Sequence, residues 1–172
     1  PAAGKTPSVG VFRERVGDSD YLLAFVTPPA VEQAQQKPLP REVIFVIDNS
    51  GSMGGVSIIQ AKASLIYALG RLQPNDRFNV IRFDHTMDVL FPGAVPADRE
   101  NVGRATAFVG ALQAIGGTEM VPAMRAALSD DGGDANYVRQ VVFLTDGAIG
   151  NEQQLFETIN ALRGRSRIFM VG

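Results

Sequence analysis

Residues 41–55 read REVIFVIDNSGSMGG, and this stretch decides the fold. Its run Val43–Ile47 consists of β-branched and aromatic residues, which is typical of a strand buried on both faces. The run ends at Asp48, and serines follow at positions 50 and 52. The pattern predicts that a buried strand brings one carboxylate and two hydroxyls to the edge of a sheet.

Helices and strands alternate downstream of this stretch. Apolar residues at helical spacing predict a helix over 56–72, and RFNVIRF at 77–83 predicts a second strand. The segment TMDVLF at 86–91 follows so closely that we expect it to pair antiparallel with the second strand. Asp98 is a suitable cap for a helix that continues to about Ala114.

The same alternation continues to the end of the sequence. We expect a helix from near Thr118, a buried strand within 139–147 and a final strand over 167–171. Asn151 and Gln154 resemble a capping box that opens a further helix. This order predicts an α/β, doubly wound, mostly parallel sheet with helices on both faces and one antiparallel edge strand.

The sequence before Arg41 differs in character. Residues 9–26 predict a β-hairpin around the turn at 17–20, and a polar segment with several prolines follows as a linker. We therefore divide the chain into a hairpin with linker over 1–40 and an α/β domain over 41–172. The last strand has nothing after it to cover it, so we expect a further strand and helix to be missing from this chain.

Composition restricts the possible functions. The 172 residues include no cysteine, which excludes disulfides, zinc-thiolate sites and thiol nucleophiles. A net charge of −2 with interspersed signs gives no basic surface for nucleic acid. No apolar run reaches the length of a membrane-spanning helix, so we expect no membrane insertion within this chain.

Two predicted strands end in an aspartate, Asp48 and Asp146, and parallel strands present these ends at one edge of the sheet. Converging buried carboxylates repel each other, and a cation resolves that repulsion. Ser50 and Ser52 follow the first aspartate, and Thr118 follows a double glycine at a helix start. Oxygen ligands without histidine or cysteine select a hard cation such as Mg²⁺, Mn²⁺ or Ca²⁺.

The motif Asp48-Asn49-Ser50-Gly51-Ser52 resembles the D-x-S-x-S metal-ion-dependent adhesion site of von Willebrand factor A domains. Thr118 in GGTEM and Asp146 in LTDG match the threonine and aspartate that this family also needs. The resemblance implies that Asp48, Ser50, Ser52, Thr118 and Asp146 bind the metal, directly or through water. It also implies that a protein partner completes the metal coordination with an Asp or Glu carboxylate.

The stretches REVIFVIDNSGSMGG, RFNVIRF and GGTEM are also similar to the A domain of inter-alpha-trypsin inhibitor heavy chains. Bacterial surface proteins with VIT and A domains, some with a sortase anchor, share this likeness. The hairpin would then be the remnant of an adjoining β region. The resemblance implies a non-enzymatic adhesion module from an extracellular or cell-surface protein.

Three other interpretations fit parts of the pattern. Asp48 and Ser50 could form a helix cap without a metal, because helix N-termini favour these residues. The same oxygen cluster could serve a metal-dependent hydrolase or phosphotransferase, although no side chain stands out as a general base. The domain could also be a structural spacer in a surface protein.

Overall fold

The computed structural model describes residues 6–28, 39–129, 134–147 and 152–172. The chain divides into two compact units, residues 1–38 and residues 39–172. The predicted capping residue Asn151 lies outside the described residues. Among the described residues, no helix is long and apolar enough to cross a membrane.

The first unit contains a two-stranded antiparallel hairpin, β1 (Ser8–Val16) and β2 (Ser19–Thr27). Gly17 adopts φ 62°, a conformation that suits glycine in the tight turn between the strands. Arg13 Nη2 donates to Asp20 Oδ2 across the hairpin at 2.8 Å. The hairpin lies at the predicted position, and its turn at residues 17–18 is shorter than the predicted turn at 17–20.

The described residues of the second unit form a six-stranded sheet. Its strands are β3 (Arg41–Asp48), β4 (Arg77–Phe83), β5 (Met87–Val89), β6 (Val95–Pro96), β7 (Val138–Leu144) and β8 (Arg167–Val171). Their order is β5-β4-β3-β7-β8, with β6 also paired to β4. Strands β3, β4, β7 and β8 run parallel, whereas β5 and β6 pair antiparallel with β4. Strand β5 is shorter than predicted, and β6 was not predicted.

Between these strands, the part of the unit that the structure describes contains four α-helices: α1 (Val56–Leu69), α2 (Arg99–Ala111), α3 (Met120–Leu128) and α4 (Glu152–Leu162). Helix α1 ends at Leu69, so the predicted extension to residue 72 was wrong. Gly70 keeps right-handed dihedrals, and the chain leaves the helix in a turn in which Arg71 N donates to Ala68 O and Leu72 N to Leu69 O. Helix α2 begins after Asp98, whose Oδ1 accepts from Asn101 N at 2.8 Å. That bond is the predicted N-terminal cap.

Successive residues of β3 pack alternately in two hydrophobic cores on opposite faces of the sheet. Phe45 and its same-face neighbours pack with α1 and α2, and Val46 packs on the other face with α3 and α4. Helices therefore cover both faces of a mostly parallel sheet, which confirms the predicted fold class. Because β3 lies between β4 and β7, its end at Asp48 stands at the middle of the sheet edge.

Candidate metal centre

Asp48 is the last residue of β3, and none of its surface is exposed. Its Oδ1 accepts from the backbone N–H of Ser50 at 2.8 Å, and its Oδ2 accepts from Thr145 Oγ1 at 3.0 Å. Both donors are neutral, and no basic side chain of the described residues forms an ion pair with Asp48. Burial of a carboxylate without a counter-charge is costly, so this position favours a bound cation.

The loop after β3 places two hydroxyls beside this carboxylate. Ser50 Oγ and Ser52 Oγ lie 3.0 Å apart, with Ser50 fully buried and Ser52 exposed. A short 3₁₀-helix over Gly51–Met53 turns the chain, and Gly55 at φ 78° leads it into α1. The alternate spacing of the serines thus brings both side chains together, as the motif predicted.

Thr118 is exposed and belongs to the loop between α2 and α3. Two backbone bonds fasten this loop to the serine loop: Gly51 N donates to Gly116 O at 3.0 Å, and Ile115 N donates to Asn49 O at 2.9 Å. The candidate ligand therefore lies two residues from a direct contact with the serine loop.

Asp146 follows β7 and is exposed. Its neighbour Thr145 is the residue that donates to Asp48, so the two strand ends are joined at this point. Asp146 also lines a cavity of about 330 Å³ with Met53 and residues of α1. The predicted carboxylate is thus near the edge of the sheet, although β7 ends two residues earlier at Leu144.

The predicted site residues fall into two groups according to their hydrogen bonds. Asp48, Ser50 and Ser52 form a continuous chain of hydrogen bonds, whereas Thr118 and Asp146 are tied to that chain through neighbouring residues. Within the described residues, no three His, Cys, Asp or Glu side chains are grouped to hold a metal.

Asn49 contributes more than the sequence indicated. It is only 4% exposed, and its Nδ2 donates to Asp84 Oδ2 at 3.2 Å and to Gln113 O at 3.1 Å. Its backbone N–H also donates to Phe83 O at 2.8 Å. Asn49 therefore links the serine loop to the end of β4 and to the loop that carries Thr118.

Asp84 is a third aspartate at the end of a strand, and we missed it in the sequence, where it directly follows RFNVIRF. Burial opposes its ionisation, but donors from Thr86 and the Arg82 guanidinium outweigh burial and hold the pKa of Asp84 below its ordinary value. Thr86 N and Oγ1 donate at 2.7 and 2.8 Å, and Arg82 Nη1 donates at 3.0 Å. Both carboxylate oxygens of Asp84 already accept hydrogen bonds within the protein, so its role is to hold the adjoining loops together.

The sequence profile described as von Willebrand factor type A domain matches residues 41–172. The chain belongs to this family. Human inter-alpha-trypsin inhibitor heavy chain H4 is 36% identical over 167 residues, which cover 90% of this chain and 17% of that protein. A von Willebrand factor A domain-containing protein of Dictyostelium discoideum is 32% identical over 160 residues, again 90% of this chain and 17% of that protein. The chain thus spans less than a fifth of either relative.

Solved structures of A domains share the fold. A von Willebrand factor type A protein from Catenulispora acidiphila superposes with a TM-score of 0.68 at 22% identity, covering 98% of this chain and 37% of that one. The manganese-loaded TRAP protein of Plasmodium vivax gives 0.62 at 19% identity, over 78% of this chain and 58% of that one. Mussel byssus proximal thread matrix protein 1, with a zinc-occupied MIDAS motif, gives 0.63 at 16% identity, over 78% and 38%.

Proposed function

We propose that this A domain is a non-enzymatic, divalent-cation-dependent protein-binding module. The observation that carries the proposal is the buried Asp48 carboxylate, which is held by neutral donors beside the paired hydroxyls of Ser50 and Ser52. Thr118 and Asp146 complete the proposed ligand set. Asp48 and Asp146 act as direct or water-mediated ligands.

The chemistry of this set explains why the cation would bind a partner. Serine and threonine hydroxyls are neutral, so the cation keeps most of its charge and can still bind an external anion strongly. Ser52, Thr118 and Asp146 are exposed, which leaves the outer side of the site accessible. A carboxylate from an Asp or Glu of a protein partner fits that open position.

Mg²⁺ is the cation we expect first, with Mn²⁺ or Ca²⁺ as alternatives, because all the ligand atoms are oxygen. Family membership supports a divalent cation, and two proteins of the same fold are described as manganese-loaded and zinc-occupied. We further propose that the domain operates at the cell surface or outside the cell, as part of a larger protein.

Calorimetric titration of Mg²⁺ and Mn²⁺ tests the cation site. Asp48→Asn and Asp146→Asn should each weaken Mn²⁺ binding by at least about 100-fold, because each removes a charged ligand. Asp18→Asn is the matched control, since Asp18 is an exposed turn residue of the hairpin. Equal affinity in the wild type and in both site variants would refute the cation site.

Water-proton relaxation of bound Mn²⁺ tests the open coordination position. Acetate should displace metal-bound water and lower the relaxation enhancement, whereas acetamide, its neutral counterpart, should have no comparable effect. Failure of acetate in a protein that binds Mn²⁺ would argue against the partner carboxylate and leave the cation site intact. Cation-dependent turnover of phosphate or ester substrates that Asp48→Asn abolishes would instead favour the hydrolase interpretation.

A further inference from the structure

His85 is the only histidine of the chain and lies in the turn between β4 and β5, outside the candidate metal set. Its side chain is 61% exposed, and its Nδ1 lies 3.3 Å from Oδ1 of the buried Asp84. The ring is nevertheless in close contact with the loop that carries Thr118. A Cβ atom at Gly116 would overlap His85 Nδ1 and would lie 2.9 Å from His85 Cε1. The imidazole therefore fills the space that a side chain at position 116 would need.

The two glycines before Thr118 make this contact possible. Gly116 adopts φ 78°, a conformation that other residues rarely adopt, and a Cβ atom at Gly117 would lie 3.8 Å from His85 Cβ. The carbonyl of Gly116 also accepts from Gly51 N of the serine loop at 3.0 Å. The histidine thus packs on the segment that joins Thr118 to the serine loop.

The same turn also holds the chain on the other side of Thr118. Glu119 N donates to Asp84 O at 2.7 Å, so the residue that follows Thr118 is fastened to this turn. Two further bonds close the turn itself, because Asp84 N donates to Thr86 O at 3.0 Å and Thr86 N donates to Asp84 Oδ1 at 2.7 Å. The loop is therefore attached to residues 84 and 85 both before and after Thr118.

We propose that His85 is a positioning residue for the cation site, which holds Thr118 where its hydroxyl can bind the cation. The inference rests on the proposed function, because it takes Thr118 as a ligand. His85 acts through the loop backbone that its ring contacts, and the carboxylate of Asp84 keeps the ring in place.

Preorganisation explains why this contact would raise the affinity for a cation. Thr118 is exposed and lies between α2 and α3, so its backbone is not fixed by a helix or a strand. Restricting a flexible backbone costs conformational entropy, and a loop that the protein already holds loses less of it when the cation binds. His85 would therefore contribute to affinity without touching the cation.

Calorimetric titration of Mn²⁺ into His85→Ala tests this role. The variant should bind Mn²⁺ about tenfold more weakly than the wild type, as expected for loss of a residue that orients a metal ligand. Tyr67→Ala is the matched control and should bind Mn²⁺ normally, because Tyr67 is also an exposed ring but lies in the last turn of α1.

The outcomes of this titration separate the two proposals. Equal Mn²⁺ affinity in the wild type and in His85→Ala, or an equal loss in Tyr67→Ala, would overturn the role of His85 alone. A wild type that binds no Mn²⁺ would refute the proposed function, and the role of His85 with it.

A double-variant cycle shows whether His85 acts through Thr118. Thr118→Ala removes the hydroxyl and should itself weaken Mn²⁺ binding by about tenfold. In that background, His85→Ala should cause no further loss, because the ligand that it positions is already absent. Two losses that add fully would mean that His85 affects the site by another route, and the proposal would be wrong.

Water-proton relaxation of bound Mn²⁺ gives a signature that a general loss of stability would not produce. When Thr118 is no longer held in place, a water molecule should take its position on the cation. The relaxation enhancement should therefore rise in His85→Ala, as in Thr118→Ala, and should keep its wild-type value in Tyr67→Ala. A wild-type enhancement in His85→Ala would contradict the proposal.

Discussion

Two buried carboxylates at opposite edges of the sheet, Glu42 and Asp48, differ in whether a basic side chain is paired with them. At one edge, Glu42 is paired with Arg77 and Arg139, and Asp76 is paired with Arg41. At the other edge, Asp48 is equally buried, and its hydrogen bonds within the described part of the chain come from Ser50 N and Thr145 Oγ1. Glu42 and Asp76 are thus compensated by the protein's own cations, whereas we propose that Asp48 is compensated by a cation from solution.

Asp84 sharpens this contrast, because it lies at the same edge as Asp48 and is also buried. It has an internal counter-charge in Arg82, and its oxygens are already bonded to Thr86 and Asn49. Burial at the end of a strand therefore does not by itself indicate a metal ligand. We propose that a metal ligand at this edge is distinguished by the lack of a basic partner.

We call the edge of the sheet that contains Glu42, Arg77 and Arg139 the arginine edge. The largest effect on stability should come from a change there. Glu42→Gln leaves the surrounding guanidinium groups without their counter-charge and should lower the free energy of unfolding by about 3–5 kcal/mol. Urea unfolding followed by circular dichroism measures the change. Glu157→Gln on the exposed face of α4 is the control and should change it by less than about 0.5 kcal/mol. A comparable loss in both variants would show that the arginine edge contributes nothing special.

Cation binding should produce the next largest effect, at the opposite edge. A cation at 100 times its dissociation constant should stabilise the native domain by about 2.7 kcal/mol. Asp48→Asn should remove this gain while leaving the domain folded without cation, since it takes away an uncompensated charge. Thermal unfolding with Mg²⁺ or with EDTA provides the comparison. Equal stabilisation of the variant by Mg²⁺ would place the cation elsewhere.

Asp76 gives the arginine edge a dependence on pH. Burial opposes its ionisation, but hydrogen bonds from the Arg41 side chain and from the backbone of Gln73 and Arg41 outweigh burial and lower the pKa of Asp76. A lowered folded-state pKa contributes stability above the unfolded value, near 3.8, that is lost as pH falls through the folded value.

Asp76→Asn should therefore cost about 2 kcal/mol of unfolding free energy at pH 7, and the difference from the wild type should shrink as pH falls below about 4. Urea unfolding at pH 7 and at pH 3 measures both values. A difference that stays constant over this range would mean that the charge of Asp76 is not what stabilises the domain.

The smallest effect concerns the loop that carries Thr118. Gly116 adopts φ 78°, and a Cβ atom there would overlap His85 Nδ1. Gly116→Ala should cost about 1–2 kcal/mol through the left-handed backbone conformation, and it should weaken Mn²⁺ binding by displacing the loop. Calorimetry of the double variant with His85→Ala separates the steric part from the backbone part. Full recovery of stability in the double variant would show that the backbone conformation costs nothing.

The sequence predicted the fold because composition and periodicity together distinguish its elements. The run Val43–Ile47 is too apolar for an edge strand, and the amphipathic helices between strands require a parallel sheet. The boundaries were less predictable. Phe91 was assigned to a strand, but it is a core residue that stacks edge-on against Phe78 at 5.9 Å. Strand β6 was not predicted because its two residues, Val95 and Pro96, are too few to show an alternating pattern.

The candidate site was predictable only in part. The D-x-S-x-S spacing identified Asp48, Ser50 and Ser52 because these residues are close in sequence. The contacts of Asn49 and Thr145 could not be predicted, because their partners lie 35 and 97 residues away. Asp84 could have been found, since it too follows a predicted strand. The five-residue metal set stays a prediction until a cation is titrated.

The central position of β3 also has a mechanical consequence. This strand carries Glu42 near one end and Asp48 at the other, about 20 Å apart at the usual rise per residue, and parallel neighbours pair with it on both sides. A partner that pulls on a cation at Asp48 would load the strand along its own axis. The hydrogen bonds to β4 and β7 would then share the load in shear instead of opening one after another.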